Sequence, residues 1–412
     1  MRVLLASDVF PPRCGGAGWS SYYLARALAQ RGHIVEVVVL REGVGHPRER
    51  EYGGLRVHEF PYWAPRIPFL RNLFRNERLW PRLADWLVEK TRADGFQILH
   101  AQHSQTVPAA VRAGRRLGIP VVATVRDYWP LCYRATGLSG DGTSCTRCSL
   151  RAAVRCFGTS AVLPAYPYIR SNVARKAKAL AEADAVIAVS RFVARQLGDI
   201  VRASRLHVIP NLVDLEEVDR IASAPEPEAE VPFILFVGKL EPNKGVRELL
   251  TALRRAAERL GETERPALCV GGDGSLREYL ERGLADIGWP ARFLRWADHD
   301  RILRLLKRTE LLLFPSRWEE PLSRVLLEAC ACGAPILAMA TGGTTELFTD
   351  GVDAALVPAA AEPFARRLVA LLKVPEERRR LGAGARRLAE ERLSAPVVVA
   401  QVEALYCRLV PD

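Results

Sequence analysis

Glu320 and Glu328 stand eight residues apart in FPSRWEEPLSRVLLEACACGAP, and Lys239 and Lys244 stand five apart in GKLEPNKG. A carboxylate can accept from a pair of neighbouring hydroxyls, and lysines act as point charges toward phosphate. Pro321 and the apolar positions Leu322, Val325, Leu326 and Ala329 predict a helix beginning at Pro321 and stopped by Gly333. A helix start attracts anions, so cations, carboxylates and helix together suit a ligand carrying both phosphate and hydroxylated rings. Glu320 is then expected at the mouth of that helix and Glu328 about two turns further in, roughly 12 Å away along the axis. Two solvated glutamates on an ordinary helix are the plain alternative.

A second set of candidates follows apolar runs elsewhere. His100, Gln102 and His103 come after residues 98–100, and Arg126 and Asp127 after residues 121–125. Asn211 follows the run 206–209, and Gly238 follows 233–237. Gly272, Asp273 and Gly274 end the run 267–271 in a turn with room for a flat base or a ribose. Thr341-Gly342-Gly343-Thr344 is a further glycine turn, and Gly15, Gly16 and Gly18 lead from a first strand into a helix. Loops at the C-terminal ends of parallel strands are where open α/β sheets place ligands, and glycines there let backbone N–H groups approach a phosphate. A tight turn without a ligand is the competing reading of each glycine group.

These positions require a frame of alternating strands and helices. Strands are predicted at residues 3–7, 34–40, 98–100, 121–125, 185–189 and 206–209, and again at 233–237, 267–271, 292–294, 311–314, 336–338 and 355–357. About six strands per half, each followed by a helical pattern, predict an α/β protein of two doubly wound parallel sheets. The expected division is a domain at 1–222, a Pro/Glu-rich linker at 223–232, a second domain at 233–394 and a C-terminal helix at 395–412 packing back toward the first.

Composition excludes several classes. The chain has 412 residues, 49% hydrophobic, with no apolar run long enough to span a bilayer, and its first residues read as a strand rather than a signal peptide. Nine cysteines, an odd number, fit a reducing cytoplasm. The net charge of +12 suits an anionic partner, but no interleaved aromatic motif supports nucleic acid. A nicotinamide cofactor is disfavoured, because the glycines do not spell G-x-G-x-x-G and no acidic residue ends the strand at 34–40. Residues 65–90 mix arginines with large apolar residues, as in a basic amphipathic surface on anionic lipid or a helix packed on its own domain. Cys132, Cys145, Cys148 and Cys156 share one loop and fit a structural zinc site, four reduced thiols or a disulfide.

Taken together, GKLEPNKG, GGDG, PSRWEEPLSRVLLEACACGAP and TGGTTE resemble the motifs of glycosyltransferase family 4, of GT-B fold, over nearly the whole chain. The resemblance implies two Rossmann-like domains facing across a cleft and retaining transfer of a sugar from a nucleotide-sugar, without a catalytic metal or further cofactor. It implies phosphate binding by Lys244, with Lys239 where the family usually has arginine. It places Glu320 near the donor sugar hydroxyls and Glu328 on the ribose. The backbone of Arg324, Val325 and Leu326 is expected at the diphosphate or ribose, and Gly15 and Gly16 beside the donor phosphate. Asn211, Gly238, Gly272, Asp273 and Gly274 complete the expected donor contacts. Arg126 stands where the family usually has a histidine, next to Asp127, with His103 nearby. Arginine stays protonated and is no general base, so in this reading the leaving phosphate takes the acceptor proton. The acceptor is expected to be a carbohydrate, a lipid-linked or a small molecule, used in cell-envelope, polysaccharide or glycolipid synthesis, with peripheral contact to the inner membrane face left open. A GT-B nucleotide-sugar epimerase and a non-catalytic sugar-nucleotide-binding protein are the alternatives.

Overall fold

A computed structural model describes residues 1–140, 142–145, 147–226, 231–295 and 297–410. The chain divides into two compact units, one built from Met1–Asn211 with the chain from Val398 onward, the other from Leu212–Val397.

Among the described residues the first unit holds eight strands: β1 (Arg2–Ser7), β2 (Ile34–Glu42), β3 (Arg48–Tyr52), β4 (Leu55–Tyr62), β5 (Ile98–Ala101), β6 (Val121–Val125), β7 (Ala185–Ala188) and β8 (Leu206–Val208). They form one sheet in the order β3-β4-β2-β1-β5-β6-β7-β8. All neighbours pair in parallel except β3 and β4, which form a hairpin. The hairpin is two strands beyond the six expected. Its first strand, REREY, is a polar edge strand with no buried position, and the second, LRVHEFPY, has its alternation broken at His58 and Glu59 and carries a proline. The expected amphipathic segment 65–90 forms two helices, Leu70–Arg75 and Leu79–Asp94, the second burying Leu79, Leu83 and Leu87.

The second unit holds β9 (Phe233–Val237), β10 (Ala267–Gly271), β11 (Ala291–Arg295), β12 (Leu311–Phe314), β13 (Ile336–Met339) and β14 (Ala355–Val357). They form a parallel sheet in the order β11-β10-β9-β12-β13-β14. Side chains alternate across a strand, and here both faces are covered. Phe233 and Leu235 enter one apolar layer, while Ile234 and Phe236 enter the other.

The units divide at Asn211–Leu212, ahead of the expected linker. The helix Leu215–Ala222 explains the shift. Val218, Ile221 and Ala222 are buried in the same core as Leu305, Leu306 and Leu312, so this helix belongs to the second sheet. Residues 227–230 of the expected linker lie outside the described residues. The last helix, Ala395–Leu409, runs from the second unit into the first. There Tyr406 Oη lies 2.6 Å from His100 Nδ1, and His100 Nε2 lies 2.7 Å from Thr124 Oγ1. Among the described residues no helix is long and apolar enough to cross a membrane.

Candidate active site

Each sheet changes direction once, and ligands of doubly wound folds bind outside the strand C-termini at that switch point. In the second sheet β9 and β12 are the central neighbours, and the chain leaves them toward opposite edges. The loop after β9 delivers Lys239 and Lys244, and the loop after β12 delivers Ser316, Trp318 and Glu320. Lys244 Nζ donates to Glu320 Oε1, which also accepts from Ser316 Oγ at 3.1 Å. The Lys244 ammonium lies 4.6 Å from the Trp318 ring centroid, and Trp318 N donates to Asn243 O at 3.1 Å. Gly245 permits this approach. It is left-handed (φ +73°), and a Cβ there would stand 1.7 Å from Pro315 O. Glu320 is only 4% exposed, and its carboxylate meets that lysine and that hydroxyl.

The helix expected from Pro321 starts at Arg324, with Ser323 as an extended N-cap whose side chain caps no amide. The reason is tertiary. Glu320 O accepts from Gly343 N at 2.7 Å, which ties the residues before the helix to the second glycine turn. Glu320 is therefore a loop residue, while Glu328 lies on the helix, and they take different partners. Glu328 Oε1 accepts from Arg324 Nε and faces His299 Nε2, both at 2.8 Å. Burial raises the Glu328 pKa, but His299 and Arg324 outweigh it and hold the carboxyl below its ordinary range. Arg324 also donates from Nη1 to Leu212 O at 2.5 Å. Leu326 is fully buried and Val325 half-buried, and Leu326 N donates to Ser323 O at 3.2 Å.

The remaining predicted residues of this unit come together at the ends of β9 and β10. Gly238 N donates to Gly271 O at 3.0 Å and Leu240 N to Asp273 O at 2.9 Å. A Cβ on Gly272 would stand 1.9 Å from Gly238 O, and Gly274 N donates to Asp273 Oδ1 at 2.9 Å. Lys239 is exposed beside them.

In the first sheet the switch falls between β1 and β5. Asp8, just past β1, accepts from the backbone of Gln105 at 3.1 Å and of Thr106 at 3.1 Å, at the start of the helix Thr106–Leu117. His103 Nδ1 lies 3.4 Å from Ser7 Oγ, and its Nε2 is buried with no protein partner, as are both amide atoms of Gln102. Arg126 donates from Nε to Asn211 Oδ1 at 2.7 Å and from Nη1 to Gln102 O at 3.2 Å. Asp127 accepts from Trp129 N at 2.8 Å. Burial pushes the pKa values of Asp8 and Asp127 up to about 6, against the pull of backbone donors and Lys176. Burial, reinforced by the Arg126 charge, pushes His103 and His100 down to about 3, so both imidazoles are neutral near pH 7. Gly15 caps the helix Gly16–Gln30 without a side-chain hydrogen bond, and no atom lies within 4 Å of where its Cβ would be.

Sequence reasoning missed Asp8, Lys176 and His299. Asp8 follows a strand, a signal that was available. Lys176 sits in mid-helix and His299 at a helix start, and only their long-range neighbours single them out. Cys132, Cys145, Cys148 and Cys156, for which zinc, reduced thiols and a disulfide all stood open, form no disulfide in this structure. Cys145 Sγ donates to Arg147 O at 3.1 Å and Cys156 Sγ to Leu138 O at 3.8 Å. Among the described residues no group of three or more His, Cys, Asp or Glu side chains is placed to hold a metal ion.

The family described as Glycosyltransferase Family 4 matches residues 14–217, and that described as Glycosyl transferases group 1 matches residues 218–388. The D-inositol 3-phosphate glycosyltransferase of Jonesia denitrificans is 25% identical over 431 residues, covering 95% of this chain and 91% of its own. The glycogen synthase of Mycobacterium tuberculosis is 25% identical over 371 residues, covering 85% of this chain and 81% of its own. Among solved structures, Anabaena HepE in complex with UDP and glucose superposes with a TM-score of 0.71 at 18% identity, covering 99% of each chain. The sucrose-phosphate synthase of Thermosynechococcus elongatus gives 0.73 at 20% identity, covering 99% of this chain and 98% of its own. These likenesses carry the fold, and the two matched families carry the activity: the chain belongs to the family-4 glycosyltransferases of GT-B fold.

Proposed function

We propose that the enzyme transfers a sugar from a UDP- or GDP-sugar to a hydroxylated acceptor with retention of configuration. The observation that carries this reading is the Lys244–Glu320 pair at the switch point of the second sheet, with Ser316 on the same carboxylate. Lys244 and Lys239 supply positive charge to a departing diphosphate, aided by the uncapped start of the helix Arg324–Cys332. Glu320 accepts hydroxyls of the transferred sugar. Glu328 takes ribose hydroxyls on Oε2, since Arg324 and His299 both meet Oε1. Gly15, Gly16, Gly238, Gly272, Asp273, Gly274 and the backbone of Val325 and Leu326 complete the donor contacts in this reading.

Asp127, His103 and Arg126 serve the acceptor in the first unit. A neutral His103 accepts a hydroxyl proton in a hydrogen bond, while Arg126 stays charged and takes no proton. The acceptor hydroxyl attacks the anomeric carbon as the sugar–phosphate bond breaks, and its proton passes to the leaving phosphate. UDP is favoured as the base-carrying group because the structural relatives include HepE bound to UDP and to UDP-glucose. Envelope, polysaccharide or glycolipid assembly is the proposed setting.

Thermal shift against UDP-, GDP- and ADP-sugars tests the donor. A ligand at 100 times its Kd stabilises by about 2.7 kcal/mol, and no shift with any of them sinks the reading. Incubation with donor alone separates transfer from epimerisation, and the anomeric configuration of the product decides retention.

A further inference from the structure

We propose that the first unit docks on an anionic lipid bilayer through a surface made by residues 60–76 and 147–170. This is independent of the donor chemistry. The exposed cations are Arg66 in the first segment and Arg147, Arg151, Arg155 and Arg170 in the second, and neither segment contains Asp or Glu. Arg71 of the first segment pairs with Glu42 outside it at 2.6 Å, and Arg75 is half-buried.

The structure joins the two segments. Phe69 stacks on Tyr133 at 6.3 Å and meets Phe157 edge-on at 5.5 Å, and Tyr133 meets Tyr168 at 6.1 Å. Asn72 Nδ2 donates to Tyr133 Oη at 2.7 Å. With Phe69, Phe157 and Tyr168 packed around Tyr133, these segments still present large apolar side chains outward. Trp63 is 52% exposed, Ile67 58%, Leu70 38%, Leu150 41% and Leu163 60%. Arg66 is exposed beside Ile67, and Arg151 beside Leu150.

Single exposed apolar residues are ordinary, but five on two packed segments that lack any acidic residue are not. Cations attract the headgroups while Trp, Ile and Leu enter the acyl boundary, the division of labour of an interfacial surface. A nucleic acid would use the arginines but leave Ile67 and Leu163 without a partner.

The test is co-sedimentation of the full-length protein with vesicles of phosphatidylglycerol or of phosphatidylcholine. We expect binding to phosphatidylglycerol vesicles that falls at least tenfold between 50 and 500 mM salt, little binding to phosphatidylcholine, and at least a tenfold loss in I67S/L163S. These are exposed positions, so the variant should keep the wild-type unfolding temperature. Val374→Ser, a comparably exposed site on the second unit, should bind as wild type. A further variant, Ile67→Trp, should bind at least as tightly as the parent. Absence of binding to phosphatidylglycerol overturns the proposal. So does I67S/L163S binding like wild type, or duplex DNA competing the protein off the vesicles with the apolar variants unaffected.

Discussion

His299 Nε2 lies 2.8 Å from Glu328 Oε1, so a residue at the start of one helix fixes the carboxylate on another. Arg324 reaches the same oxygen from one turn earlier on the Glu328 helix. The carboxylate is thereby ionised and oriented although it is buried, which is what a ribose-binding role requires.

His299→Ala should raise the donor KM about tenfold with a smaller change in kcat, because it loosens Glu328 without touching the reacting bond. The unfolding free energy should fall by about 1–3 kcal/mol, the usual effect of removing one partner of a buried hydrogen bond. Steady-state kinetics with denaturant unfolding checks both.

Lys244 and Glu320 invite a double-mutant cycle. Lys244→Met leaves a buried carboxylate unpaired and should cost about 3 kcal/mol of stability. Adding Glu320→Gln should restore most of it. Transfer should remain about 100-fold or more below wild type in both, since the charge on the leaving group is not restored. Recovery of activity in the double variant would contradict the assigned roles.

The buried acids and histidines set opposite pH dependences. Asp8 and Asp127 have folded pKa values raised to about 6, so their contribution to stability is greatest below the unfolded value and is lost as pH rises through about 6. His100 and His103, lowered to about 3, contribute stability above their unfolded value that is lost as pH falls from about 6.5 toward 3. Asp127→Asn should therefore stabilise the protein at pH 8 relative to wild type, by on the order of 2 kcal/mol, and much less at pH 4. Thermal unfolding at the two pH values decides this.

Tyr406→Phe should cost about 1–2 kcal/mol, because His100 then loses a buried partner. Native-state hydrogen exchange should show the loss in the helix Ala395–Leu409 and not in the second sheet.

Most of the parallel strands were legible because a strand buried on both faces is a local apolar run bounded by turns, as at 233–237 and 311–314. The edge strand β3 was not, since an edge strand needs no apolar alternation, and β4 beside it is broken by His58, Glu59 and Pro61. The order of the motifs along the chain likewise marks Lys244, Glu320 and Glu328 as candidates. What they touch was decided elsewhere in the chain: Lys244 and Glu320 meet across 76 residues, and His299 and Glu328 across 29. Asp8 meets Gln105 across 97. The sequence by itself determined the α/β class, the strand-end position of the candidate residues and the family. Tertiary structure alone decided that the helix begins at Arg324, that the helix Leu215–Ala222 belongs to the second unit, and which partner holds each buried charge. Periodicity is written in neighbouring residues, whereas the cost of burying a charge is met by whatever residue the fold brings beside it.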